Sequence, residues 1–276
     1  LASEAHVHGA VRHSIRAAPS IYRKGHRMLG GLLMTKRWAK TLAESDLLWQ
    51  GFFFTLRVAL AGLAVALVLG TILGVFSTTR SKILRGIARV YVEIYQNTPV
   101  VVQVFFMYTA GPRILMAIQD ASSPVRIAPF VLGVVGVGMY HAAYVAEVIR
   151  TGIQAIPRGQ MEGAMSQGFT RVQAYHYIIL PQTFKIILPP LANQALNLVK
   201  NTSVLALIAG GDLMYQADVI VSDTGYLQGY ILCCVMYFII CFPLAMLITW
   251  LEKRSKRLPK VRHAVKIPAS TKMKEA

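Results

Sequence analysis

The chain has 276 residues, of which 55% are hydrophobic and 15% charged, and a formal net charge of +17. This balance fits neither a disordered chain nor an ordinary soluble domain. The basic excess alone would suit a nucleic-acid binder. The cations, however, gather at the ends and in particular loops between long apolar runs, which is the layout of a membrane protein.

Residues 1–45 form a basic leader carrying Arg12, Arg16, Arg23, Lys24, Arg27, Lys36, Arg37 and Lys40, without the apolar core of a secretory signal. Met28 and Met34 are candidate native starts, and N-terminal sequencing of the native protein decides between them and the longer chain. A transit peptide is the weaker reading. His6 and His8 have poor ligand neighbours and read as solvated tail residues.

Five apolar segments follow within a membrane domain over 46–252, each near the ~20 residues that cross a bilayer. The first, 52–76, carries Gly70-x-x-x-Gly74 as a candidate helix contact. The second, 90–111, contains Asn97-Thr98-Pro99, where Pro99 frees a backbone carbonyl and can kink the helix. The third, 127–149, holds Gly133, Gly136 and Gly138. The fourth, 186–209, opens with Pro189-Pro190, and the fifth, 227–250, contains Pro243. Residues 253–276 are a basic tail. Cys233, Cys234 and Cys241 share one apolar run, so packing is the expected role rather than disulfides or metal ligation.

Between the third and fourth segments lies a polar island, Pro157–Pro181. Its first helix is expected over about Gly159–Gln167, ending at Gly168 in a left-handed cap. Thr170 and Gln173 have the spacing of a capping box for a second helix, which Pro181 is expected to stop. Small residues (Gly159, Gly163, Ala164, Ser166) suit a helix built to be approached closely by another backbone. The same pattern also suits a plain loop with two interfacial helices.

Cations alternate with the segments. Arg80, Lys82, Arg85 and Arg89 follow the first, Arg150, Arg158, Arg171 and Lys185 surround the island, and Lys253, Arg254, Lys256, Arg257 and Lys260 follow the fifth. The other loops hold Arg113, Asp120 and Arg126, or Asp212, Asp218 and Asp223. The positive-inside rule then places the island and C-terminus in the cytoplasm and the N-terminus outside. The basic leader opposes this orientation.

Four blocks resemble membrane subunits of ABC-type importers, in particular the polar amino-acid permease branch (histidine/glutamine type). They are GFFFTL at 51–56, YVEIYQNTPVVVQ at 91–103, YVAEVIRTGIQAIPRGQ at 144–160, and the run from Glu162-Gly163-Ala164 and Gly168 through Leu180-Pro181 to Ser203. Together they cover about residues 50–250. The family's Glu-Ala-Ala reads Glu-Gly-Ala here, and its Arg-Gly-Thr-Pro reads Gln-Asn-Thr-Pro.

The resemblance implies an all-α integral membrane fold of five transmembrane helices, with a cytoplasmic coupling helix between the third and fourth. It implies that Glu162, Gly163, Ala164, Gly168, Leu180 and Pro181 belong to the part that docks on a cytoplasmic ATPase. It also implies two ATPase copies, a second permease subunit that is identical or homologous, and an external substrate-binding protein. This chain would bind no cofactor, ATP and Mg being used by the ATPase; it has no phosphate loop of its own. The implied cargo is a polar amino acid, with an opine-like or other small solute as the alternative.

Polar residues of the segments are the substrate-path candidates: Glu93, Asn97, Thr98 and Gln103 on or near the second, and Asn193, Gln194, Asn197, Lys200, Asn201, Thr202 and Ser203 on the fourth. Asn193, Asn197 and Lys200 recur at helical spacing. Each also suits a structural role between helices. Glu147 and Arg150 are spaced for a structural ion pair. Two rivals are an ion-coupled transporter using Glu93 and Lys200, which leaves the island unexplained, and a membrane-embedded enzyme, for which no ligand or nucleophile motif is found.

Overall fold

The computed structural model describes residues 34–255, apart from 121, 122 and 124. The leader before Met34, with His6, His8 and Met28, and the tail beyond Ser255 lie outside the described residues. All regular structure among them is helical.

A short helix α1 (Thr35–Ala43) leads into the 34-residue α2 (Ser45–Thr78). Then come α3 (Lys82–Gln96), α4 (Val100–Ile118) and α5 (Pro129–Gln154). The island contributes α6 (Arg158–Ser166) and one turn, α7 (Arg171–Ala174), which passes through a π turn (Tyr175–Ile179) into α8 (Leu180–Asn201). A 3-10 turn (Thr202–Ile208) extends α8, and α9 (Leu213–Thr224) and α10 (Gln228–Ser255) complete the chain.

Four of these helices, α2, α4, α5 and α10, are individually long and apolar enough to cross a membrane. A fifth crossing exists only as a bent pair, α7 through the 3-10 turn followed by α9 at 46°. The expected fourth segment, 186–209, corresponds to α8 and its 3-10 extension, and the bend follows it. Ala209 and Gly211, both with left-handed backbone, make the break.

The centre is the pair α2 and α5. Over its most apolar stretch α5 is 56% buried, against 6% for α4 and 17% for α10, which places α5 inside and the other two at the rim. Glycine sets the α2–α5 approach: a Cβ on Gly70 would come within 2.6 Å of Val145, and one on Gly74 within 2.8 Å of Ile149. The expected Gly-x-x-x-Gly contact is thus where α5 seats two branched side chains. Gly133 and Gly136 of α5 likewise receive Leu205 and Val104.

The expected second segment, 90–111, is not one helix. Pro99 has no N–H and restricts Thr98 to extended backbone, so α3 stops at Gln96 and α4 restarts at Val100. Side chains bond the carbonyls around the break. Asn97 Nδ2 donates to the Glu93 carbonyl (2.8 Å) and Thr98 Oγ1 to that of Ile94 (2.7 Å). Gln103 Nε2 reaches back to the carbonyls of Tyr95 and Thr98, each at 3.1 Å. This is how a broken backbone becomes tolerable where water is absent.

Pro181 does not stop the island's second helix. Its ring crowds the carbonyl four residues back and it offers no N–H. The chain widens instead into the π turn, in which the Leu180 N–H bonds to the Tyr175 carbonyl five residues earlier. Gln182 Nε2 then satisfies the Ile178 carbonyl at 2.8 Å, and α8 continues through Pro181.

Candidate functional site

Two regions hold the polar groups. At one end of the bundle is the island; along α8, at mid-bundle, is a polar face.

In the island, α6 ends as its sequence dictates. Gly168 has φ +84°, its N–H donates to the Met165 carbonyl (3.1 Å), and the Phe169 N–H returns to the Ala164 carbonyl (3.2 Å), a complete Schellman motif. Thr170 and Gln173 form both halves of the capping box. Ala164 is buried and anchors α6, whereas Glu162, Gly163, Gly168, Leu180 and Pro181 are exposed. A Cβ added to Gly159 or Gly163 would meet nothing within 4 Å. Nothing among the described residues therefore requires those glycines to be small. Around them Met165, Val172, Tyr175 and Tyr177 are exposed large apolar side chains.

On α8, Asn193, Asn197 and Lys200 share one exposed face, as their spacing predicts. No described carboxylate pairs with Lys200. The stripe is polar and belongs to a membrane-crossing element, yet the single chain leaves it uncovered. Lys200 lies in an open groove of about 450 Å³ with Ser203, Tyr237 and Cys241.

The adjoining face of α8 joins two of the sequence candidates, Gln194 and Asn201, to a histidine that sequence reasoning missed. His141 of α5, 2% exposed, has Nδ1 at 3.3 Å from Gln194 Oε1 and Nε2 at 3.1 Å from Asn201 Nδ2. With the amides so placed, Nδ1–H donates to the Gln194 carbonyl oxygen and Nε2 accepts from the Asn201 amide. Tyr140 and Tyr144, with hydroxyls 3.0 Å apart, flank the ring. A signal was present, because Gln194 and Asn201 are seven residues apart on one helical face.

Other sequence candidates have different places. Asn97, Thr98 and Gln103 are occupied in closing the α3–α4 break. Thr202 is fully buried and donates to the Val199 carbonyl at 2.8 Å, so its hydroxyl is not open to a solute. Glu93 is on α3, before the break, and pairs with Arg89 at 3.3 Å. Glu147 and Arg150 form the expected ion pair, two-pronged through Nε and NH2. The acidic loop of Asp212, Asp218 and Asp223 is the start and body of α9. Asp212 is fully buried as its N-cap, while Asp218 and Asp223 are exposed.

An uncovered polar stripe thus runs along an otherwise apolar bundle, and an exposed small-residue helix lies at its end. Residues 48–257 match the profile of the binding-protein-dependent transport system inner membrane component. The chain belongs to this family. The permease is 41% identical over 209 residues to the probable glutamine ABC transporter permease protein GlnM of Bacillus subtilis, covering 75% of this chain and 93% of that one. It is 34% identical over 222 residues to the glutamine transport system permease protein GlnP of Escherichia coli, covering 80% and 98%. With the glutamate/aspartate import permease protein GltJ of Escherichia coli it shares 30% over 217 residues, 77% and 88% of the two chains. Among solved structures, an amino acid ABC transporter crystallised with histidines superimposes with a TM-score of 0.69 at 31% identity, covering 77% of this chain and 96% of that chain. The methionine ABC transporter MetNI, at 17% identity and a TM-score of 0.52, shares the fold. The permease is a multi-pass membrane protein and not itself an enzyme.

Proposed function

We propose that the permease forms half of the translocation path of an ATP-driven importer for a polar amino acid, delivered by an external binding protein. The observation that carries this reading is the Asn193–Asn197–Lys200 stripe. Three polar side chains facing lipid on a spanning helix are costly, so the face must meet a second permease subunit or the water-filled path between two subunits. Lys200 offers a cation for a carboxylate, and the two asparagines offer both donors and acceptors for the rest of an amino acid. Glutamine and glutamate/aspartate are the cargoes in the relatives' names, which supports a polar side chain.

The island is the coupling element in this reading, and α6 is the coupling helix. Its exposed glycines and the apolar Met165, Val172, Tyr175 and Tyr177 fit a docking surface for one of two ATPase subunits, which bind ATP and Mg. A rigid capped helix of this kind passes rigid-body motion to the spans. The orientation follows from charge. Arg158 and Arg171 lie on the island, Lys82 and Arg85 start α3, and Lys253 and Arg254 end α10, all at the island end, which is therefore assigned to the cytoplasm. The cations of α1 lie at the other end, where Arg37 and Lys40 sit over the Tyr226 ring. Of the acidic residues there, Asp218 and Asp223 remain available to a binding protein; Asp212 does not.

The test is glutamine uptake by the permease reconstituted with its ATPase and binding protein in vesicles. Asn197→Leu is expected to lower uptake about tenfold, a loss of about 1.4 kcal/mol in the limiting step, without loss of assembly. Unchanged uptake of every polar amino acid tried would remove the stripe from the path.

A further inference from the structure

Helix α3 presents three different faces, and only one is explained by packing. Ala88, Tyr91 and Tyr95 turn inward; Ala88 is fully buried, and the Tyr91 hydroxyl donates to the Met139 carbonyl of α5 at 2.9 Å. The second face lines an open groove of about 700 Å³ with Lys82, Arg85, Arg89 and Glu93, opposite Glu147 and Arg150 of α5. The third face, Ile83, Ile87, Val90 and Ile94, points away from the bundle, and each of the four is more than half exposed.

The groove holds four cations against two carboxylates. Both carboxylates are engaged, Glu93 by Arg89 and Glu147 by Arg150, and among the described residues Lys82 and Arg85 have no acidic partner. Depth separates the two kinds of chemistry. Helix α3 begins four residues after the spanning helix α2 ends, so Lys82 and Arg85 lie at the membrane surface. From there the aliphatic stripe runs inward along the remaining turns. Cations at the surface edge and branched aliphatics below them match a molecule with an anionic head and an apolar tail.

We propose that an anionic phospholipid sits against the surface end of α3, its phosphate at Lys82 and Arg85 at the mouth of the groove and an acyl chain on the neighbouring face along Ile83, Ile87, Val90 and Ile94. The inference rests only on the chain spanning a membrane, not on the cargo or the ATPase. A second copy of the chain fits less well. A self-complementary contact through the stripe would leave Lys82 and Arg85 without an anion. Inorganic phosphate would answer the charge but leave the stripe bare. The lipid braces the half of the broken α3–α4 segment that is too charged to span by itself.

Native mass spectrometry of the purified, delipidated full chain tests this. It is incubated with phosphatidylglycerol or phosphatidylcholine of identical acyl chains, and the retained lipid is counted. The wild type is expected to retain phosphatidylglycerol preferentially, and K82Q/R85Q to lose that preference by about tenfold or more. K253Q/R254Q, which removes two exposed cations from the end of α10, is expected to keep it. Because Lys82 and Arg85 have no acidic partner to lose, K82Q/R85Q should unfold at the wild-type temperature, separating lost binding from lost folding. Equal retention of the two lipids by the wild type, or an unchanged preference in K82Q/R85Q, would overturn the proposal. So would an Ile87→Cys disulfide dimer in mixed-lipid vesicles, absent from the wild type, because it would assign the stripe to a second copy.

Discussion

His141 shows how much one side chain can organise inside a membrane bundle. It ties α5 to α8 through two amides whose own polar groups would otherwise face a dry interior. His141→Leu keeps the approximate volume and strands both amides. The expected result is a loss of about 1–2 kcal/mol in stability, read as a lower unfolding temperature in detergent. An unchanged temperature would mean that Gln194 and Asn201 find other partners. Gln103 makes the same point for the backbone. It was expected to line a path, and it closes the Pro99 break instead. A polar residue in an apolar run is legible in the sequence, but its partner is not, because His141 lies 53 and 60 residues from the amides it joins.

At the scale of elements, glycine has opposite meanings in α2 and α6. Gly70 is small because Val145 needs the space, so Gly70→Val should overpack the α2–α5 contact and cost about 1–3 kcal/mol, measurable by thermal unfolding. Gly163 faces open space. Gly163→Leu should therefore leave folding and membrane insertion unchanged, yet reduce transport-coupled ATP hydrolysis by about tenfold or more if α6 is the docked helix. Normal coupling would show that the partner does not approach there. Gly168 is the poorer probe, because its positive φ makes any β-branched replacement strain the Schellman motif itself.

The helices that the sequence makes plain are those where local chemistry and fold agree. The apolar runs of α2, α5 and α10, the Gly168 cap and the Thr170–Gln173 box all form as read. The discrepancies cluster at proline. One segment with a proline kink was expected across Asn97-Thr98-Pro99, and two separate helices form there. At Pro181 the reverse holds. A stop was expected, but the π turn and the Gln182 side chain absorb the missing donor.

For the molecule as a whole, the described chain is unfinished in one direction and complete in another. The α2–α5 core is closed by glycine contacts, and the His141 cluster has its partners within the chain. The Asn193–Asn197–Lys200 stripe and the island's apolar side chains have none. These open surfaces are in different places, one along the bundle and one at its end, which is what two different partners require. The composition of the native complex tests the account most directly. The tagged chain, purified gently from its own membrane and weighed intact, is predicted to carry a second permease subunit and two ATPase subunits, with ATP hydrolysis stimulated by the binding protein. A chain that remains alone, even after crosslinking in the membrane, would contradict the account.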